Sequence, residues 1–397
     1  MQLKKLRYIK GDIISYTTIL CLYFAAFASL YSDSMNTLGL YVAMPLAFVL
    51  TTLINKGFHT NIYEKILFAL FAWDCIAYLW ADDKELAANE LHMILGAFML
   101  VYVFSILARD EKKIPWLYGV YIILYLSAWN YAIHNILNIM SSEIARLNDE
   151  KLNANTLAYY TFYISYLTFM LAEITQKKLF KRIWTWGFWL MLPFSFLVSL
   201  LTASRQVLLI QIPLYVLLIY IKYIKAVSAR KKMAFLVLTI IVAVAMSGTI
   251  YNIYDNSLLK ARADTDVGDD PRMELVRQAI EVTVTHFPLG IGSSNFQAVS
   301  ETRQIAHNSY LEASADLGII GFSLYVALMA VFIIRQWKRY KSTNDKMYFV
   351  FFTLGIIYTL DGVFFVFYNA IWLISFYMLV AAHSETYYKR ALCQDKD

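Results

Sequence analysis

Three residues carry the chemistry this sequence offers: Arg205, Arg272 and His307. Arg205 stands between two apolar runs, where an arginine either faces a partner or water-filled cavity or snorkels to the headgroups. Arg272 follows Asp269-Asp270-Pro271, a helix start with an Asp at the cap and a Pro in the first turn. A cation there opposes the helix dipole, so either a bound anion or a salt bridge to Asp269 or Glu274 selects it. His307 lies in Ala306-His307-Asn308-Ser309-Tyr310. Its titration range suits general acid–base work, although a lone histidine is also a common structural residue. Together, two guanidinium groups and an imidazole at one surface could bind a diphosphate and deprotonate a hydroxyl. The guanidinium fork matches phosphate oxygens and stays charged at any cellular pH. Such oriented positive charge stabilises a leaving diphosphate without a metal.

The elements that must position these groups are membrane helices. Of the 397 residues 59% are apolar and only 16% charged, against roughly a quarter charged in soluble domains. That excludes a water-soluble enzyme, and the 30 Tyr and 26 Phe exclude disorder. Runs of the required ~20 apolar residues give about twelve spans. They fall near 13–32, 36–55, 64–81, 88–107, 116–139, 155–175, 183–203, 206–224, 234–254, 317–334, 347–364 and 368–386. The first reads as a span and not as a cleavable signal peptide. Ser204-Arg205-Gln206 alone separates the seventh from the eighth, as in a tight hairpin or a broken element. With both termini cytoplasmic, most of the 35 Lys and Arg fall on inner loops, as positive-inside topology requires. The net charge of +6 therefore reads as topology and lipid contact, with no nucleic-acid partner. Cys21, Cys75 and Cys393 share no metal or disulfide spacing.

The expected fold is thus an all-α polytopic membrane protein, with residues 1–397 as one membrane domain and 255–316 as a hydrophilic outer loop within it. From Pro271 to Phe287, Val276, Ala279, Ile280, Thr283, Val284 and Phe287 recur at helical spacing, while Arg272, Glu274, Arg277, Gln278 and Glu281 lie off that stripe. This predicts an amphipathic helix along the outer membrane surface or across the mouth of the bundle, ended by Pro288-Leu-Gly-Ile-Gly292. The acidic run Asp264-Thr-Asp266-Val-Gly-Asp269-Asp270 lacks the calcium-loop pattern and its closing Glu. No metal and no cofactor are expected.

The pieces Thr202-Ala-Ser204-Arg205-Gln206, Pro271-Arg272-Met-Glu-Leu, His286-Phe-Pro-Leu-Gly-Ile-Gly292 and Ala306-His307-Asn308-Ser-Tyr-Leu311, followed by Asp316-Leu-Gly318-Ile-Ile-Gly321, resemble the O-antigen ligase and O-antigen polymerase superfamily. The likeness in motifs covers residues 195–335, and the span layout agrees over the chain. It implies a GT-C-like, inverting, metal-independent glycosyltransferase of the bacterial cytoplasmic (inner) membrane, with its active site facing the periplasm. The donor would be an undecaprenyl-diphosphate-linked oligosaccharide. The acceptor would be another lipid-linked glycan for a polymerase or lipid A–core for a ligase, with membrane lipids and a chain-length regulator as further partners. Polymerase is taken ahead of ligase only because repeat-unit polymerases are the more numerous and divergent. The resemblance assigns diphosphate binding to Arg205 and Arg272 and the base to His307, with Asn308 fixing the imidazole. Arg277 and Arg303 are supporting basic residues nearby.

The competing reading is a transporter or flippase for a lipid-linked glycan, in which Asp74, His92 and His134 form a proton relay. Against it, the longest soluble segment is outer and asymmetric, between spans nine and ten, where transporter halves usually show internal symmetry. A metal-dependent lipid-linked-sugar transferase would need an acidic motif in the first outer loop, which is little more than Ser32-Asp33-Ser34.

Overall fold

The computed structural model describes residues 2–29, 33–54, 60–139, 154–202, 204–220 and 271–394, with isolated positions between 228 and 237. Among them every regular element is helical. In chain order these are α1 (Gln2–Ala28), α2 (Asp33–Leu38), a π turn (Gly39–Ala43), α3 (Met44–Ile54), α4 (Ile62–Ala77), a 3-10 turn (Tyr78–Trp80) and α5 (Lys84–Leu107). Next come α6 (Ile114–Ile139), α7 (Ala154–Ile174), α8 (Lys178–Leu201) and α9 (Arg205–Ile219). The last are α10 (Pro271–Thr285), α11 (Phe296–Val299), α12 (Ser309–Thr343), α13 (Lys346–Asp361) and α14 (Ile371–Gln394).

Each expected span except the ninth falls on helix. The ninth, near 234–254, lies almost wholly outside the described residues, as does the acidic start of the outer loop. Among the described residues four stretches, Gly11–Ala28, Asp33–Ile54, Lys84–Leu107 and Ser309–Thr343, are long and apolar enough to cross a membrane. Integral membrane character follows from them.

The chain divides into two compact units, residues 1–124 with 270–397, and residues 125–269. In the first, α12 is the central post: α4, α10 and α13 pack on it, while α14 packs on α5 and α3 joins α1 to α5. Fully buried tyrosines, among them Tyr63, Tyr118, Tyr325, Tyr348, Tyr358 and Tyr377, fill this interior. Polar caps set the helix starts. Asn61 and Glu64 form a reciprocal box at α4, and Asp83, Asn308 and Asp345 accept the first amides of α5, α12 and α13.

The second unit packs α7 against α8, with α9 joining both. Leu179, Ile183, Trp186, Leu190 and Leu197 form an exposed apolar stripe along α8, the kind of face that lipid covers. Its interior carries a buried polar network instead. Gln211 Nε2 donates to Ser195 Oγ (2.6 Å) and Tyr215 Oη (3.0 Å), Ser199 Oγ donates to Gln211 Oε1 (3.1 Å), and Tyr215 Oη donates to Ser165 Oγ (2.9 Å). Interhelical hydrogen bonds of this kind fix the register of apolar helices, here of α9, whose first residue is Arg205.

Candidate functional site

The site is built on a break in α12. At 35 residues this helix is ~52 Å long, against ~30 Å of hydrocarbon. It departs from helical geometry at Gly318 (φ 63°, ψ −160°); apolar patterning alone starts the span near 317 because Glu312 and Asp316 lie just before it. Breaking the helix frees backbone groups, and the loop after α10 takes them. Ile291 and Gly292 N–H donate to the Ala315 and Asp316 carbonyls, both at 2.9 Å, and Ile319 N–H donates to Pro288 O at 2.9 Å. Trp73 Nε1 donates to Leu317 O at 2.8 Å. Buried Asp316 then accepts Phe296 N–H through Oδ1 at 2.6 Å.

This close crossing admits no side chain at its glycines. A Cβ at Gly290 (φ 74°) would stand 2.5 Å from Asp316 O, one at Gly318 would strike Pro288 O, and one at Gly292 (φ 103°) would strike the Ala81 backbone. The motif pieces Pro288–Gly292 and Asp316–Gly318 are therefore two halves of one clamp.

α10 docks on this clamp. Leu275, Ala279 and Val282 join Ile291, Phe296, Ala306, Leu311 and Ala315 in a small apolar core, and Thr283 Oγ1 lies 3.0 Å from Ser314 Oγ. The expected single stripe is corrected here: α10 has two apolar faces. Leu275, which the pattern missed, faces the core with Ala279, while Met273, Ile280, Val284 and Phe287 stay exposed on the opposite side. Glu274, Arg277 and Glu281 occupy the flank between them. That pattern suits a helix seated on protein with its outer edge in lipid.

Arg272 is half-buried in the first turn of α10. Of the two carboxylates expected beside it, Asp269 lies outside the described residues, and Glu274 is engaged by its own helix: Arg277 Nη2 holds Glu274 Oε1 at 2.6 Å, and Gln278 Nε2 donates to the same oxygen at 2.8 Å. Those hydrogen bonds from Arg277 and Gln278 hold the Glu274 carboxyl down at about 2 and raise the Arg277 guanidinium. Arg277 is thus engaged on an exposed face.

His307 is half-buried just ahead of α12, with a left-handed backbone (φ 53°). Burial, and then the charge of Arg272, push its imidazole down to about 4, so it is neutral at cellular pH. Asn308 is the α12 cap: its Oδ1 accepts Tyr310 and Leu311 N–H at 2.9 and 3.1 Å. Its side-chain oxygen is therefore committed to the helix, and it bears on His307 through the backbone. Arg303 is exposed on the same loop, also left-handed (φ 52°), in a turn closed by its N–H to Ser300 O at 3.0 Å.

The first unit therefore brings Arg272 and His307 together. Arg205 opens α9 in the second unit, directly after buried Ser204, and its side chain lies outside the described part. Among the described residues no group of three or more His, Cys, Asp and Glu is arranged to hold a metal. Buried Glu312, whose Oε2 accepts Ala306 N–H, is a partner of the site that pattern reading passed over, and Asp316, quoted only as the start of a motif piece, is another. Their shared sequence signal was an acid recurring one turn apart at the start of an apolar helix.

The first unit thus presents an arginine and a neutral histidine at a loop clamped to an apolar helix. Residues 186–326 match the family model described as O-antigen ligase, and that segment, which contains Arg205, Arg272 and His307, belongs to the O-antigen ligase/polymerase superfamily. Members of the family are ligases or polymerases and use lipid-linked glycans. No curated protein sequence matches the chain.

Proposed function

We propose that the protein transfers a glycan from undecaprenyl diphosphate to a sugar hydroxyl on the outer side of the cytoplasmic membrane, in a single displacement with inversion and without a metal. The observation that carries this reading is the pairing of Arg272 with a neutral His307. A general base must be unprotonated at rest, and a diphosphate leaving group needs fixed positive charge.

In this reading Arg272 and Arg205 bind the diphosphate. The acceptor hydroxyl loses its proton to His307 as its oxygen attacks the anomeric carbon. The bond from that carbon to the diphosphate oxygen breaks on the opposite face, and undecaprenyl diphosphate leaves with the electron pair. Donor binding also tunes the base. A diphosphate beside Arg272 compensates the charge that depresses the imidazole, so its proton affinity rises when substrate arrives. The exposed apolar edge of α10, about a quarter turn from Arg272, supports a diphosphate held at headgroup height.

A polymerase is taken ahead of a ligase on the same grounds as before. The test is a reconstituted assay with undecaprenyl-diphosphate oligosaccharide, with and without lipid A–core. A ladder of lengthened lipid-linked glycan from donor alone identifies a polymerase, and transfer only with the core identifies a ligase. Translocation of the host's own donor without transfer would replace both by a flippase.

A further inference from the structure

We infer that Glu312 is a positioning residue for His307, holding the backbone that aims the imidazole. The inference rests on the reading of His307 as base. Glu312 is 2% exposed in the first turn of α12, and its Oε2 accepts the N–H of Ala306 at 2.5 Å. Ala306 is itself buried and immediately precedes His307.

Downstream the chain is pinned as firmly. Asn308 caps α12, Ser309 N–H donates to Gly362 O (2.7 Å), and Ser309 Oγ donates to Phe365 O (2.7 Å) while accepting Phe367 N–H (2.9 Å). His307 sits between these anchors in a left-handed conformation that a β-carbon disfavours and that persists only where the surroundings over-determine it. Without Glu312 the Ala306 amide is a buried donor lacking its acceptor, and the loop moves to find another. The residue that moves with it is His307. Asp316, one turn on, performs the same service for Phe296. The two carboxyls thus tie both ends of segment 296–306 to one helix.

Glu312→Gln keeps an acceptor oxygen at the same reach, whereas Glu312→Ala removes it. Two readouts separate aim from fold: kcat against KM for the lipid-linked donor, and the rate at which diethyl pyrocarbonate acylates His307, followed by peptide mass spectrometry. In Glu312→Ala we expect kcat to fall about 100-fold, as ~1 Å misplacement of a reacting group does. KM for the donor should change far less, because Arg272 stands on another helix, and acylation of His307 should be faster. Glu312→Gln should restore both. If the Ala variant is not recovered folded, Glu312→Asp, whose carboxyl is too short to reach Ala306, takes its place with the same expectation. Unchanged kcat and acylation in the Ala or Asp variant, or a Gln variant as impaired as Ala at equal melting temperature, overturns the inference. His307→Ala distinguishes the two levels. If it turns over normally while Glu312→Ala still accelerates acylation, the anchor stands and the base reading falls. If it is inactive while acylation is unmoved in Glu312→Ala, the anchor falls and the base reading stands.

Discussion

Arg272→Gln tests the electrical link between the two outer-loop residues. The folded protein holds His307 at about 4, against 6.5 for a free imidazole, and burial contributes more to the gap than Arg272 does. At ~1.4 kcal/mol per pH unit the whole gap corresponds to about 3 kcal/mol. Removing the guanidinium should therefore raise the midpoint by less than half the gap, leaving it between about 4 and the halfway point to 6.5. The assay is the pH dependence of His307 acylation by diethyl pyrocarbonate, which attacks the neutral ring. Inorganic pyrophosphate should raise the midpoint of the unaltered protein and have little effect on Arg272→Gln.

Turnover should follow the same group. The acid limb of kcat/KM, which reports the free enzyme, should lie near 4, and that of kcat, which reports the donor complex, should lie higher. Stability has a matching sign. The folded state resists protonating His307 while the unfolded state accepts a proton below 6.5. Stability present above pH 6.5 is therefore lost as pH falls towards about 4, by at most about 3 kcal/mol. A wild-type midpoint near 6.5, or one that does not rise in Arg272→Gln, refutes the reasoning.

Gly318→Ala, which adds a side chain against Pro288 O at φ 63°, should lower stability by about 3 kcal/mol or more in detergent unfolding and abolish transfer. Gly11→Ala, with open space around its β-carbon, should be neutral or stabilising in the same measurement. Arg277→Ala should leave kcat and the melting temperature unchanged, since its partners Glu274 and Glu281 are solvent-facing neighbours on one helix. Gln211→Ala should cost about 1–2 kcal/mol of unfolding free energy by stripping partners from Ser195, Ser199 and Tyr215. Transfer should survive EDTA, and loss restored by magnesium or manganese would contradict an arginine-held diphosphate.

The sequence by itself determined the helical membrane class, because burying backbone in lipid demands long apolar helices and their composition is visible without a fold. It also anticipated a helix running from Pro271, since Pro in a first turn is a local signal, and it singled out Arg272 and His307 by residue type and flanking motif. Tertiary structure decided what depends on partners distant in the chain. Apolar periodicity could not tell the α10 face that meets protein from the one that stays exposed, because both are greasy at the same spacing. Glu274 was named as a partner for Arg272, and the folded helix shows it held by Arg277, one turn away with both arms in reach. The break at Gly318 is silent in hydropathy, since the apolar run continues through it; it exists because Pro288–Gly292 returns to take the amide and carbonyls that the break releases. Glu312 drew no notice in the sequence and Asp316 only as part of a motif piece, because only the loop folded over them turns both into acceptors for buried backbone donors.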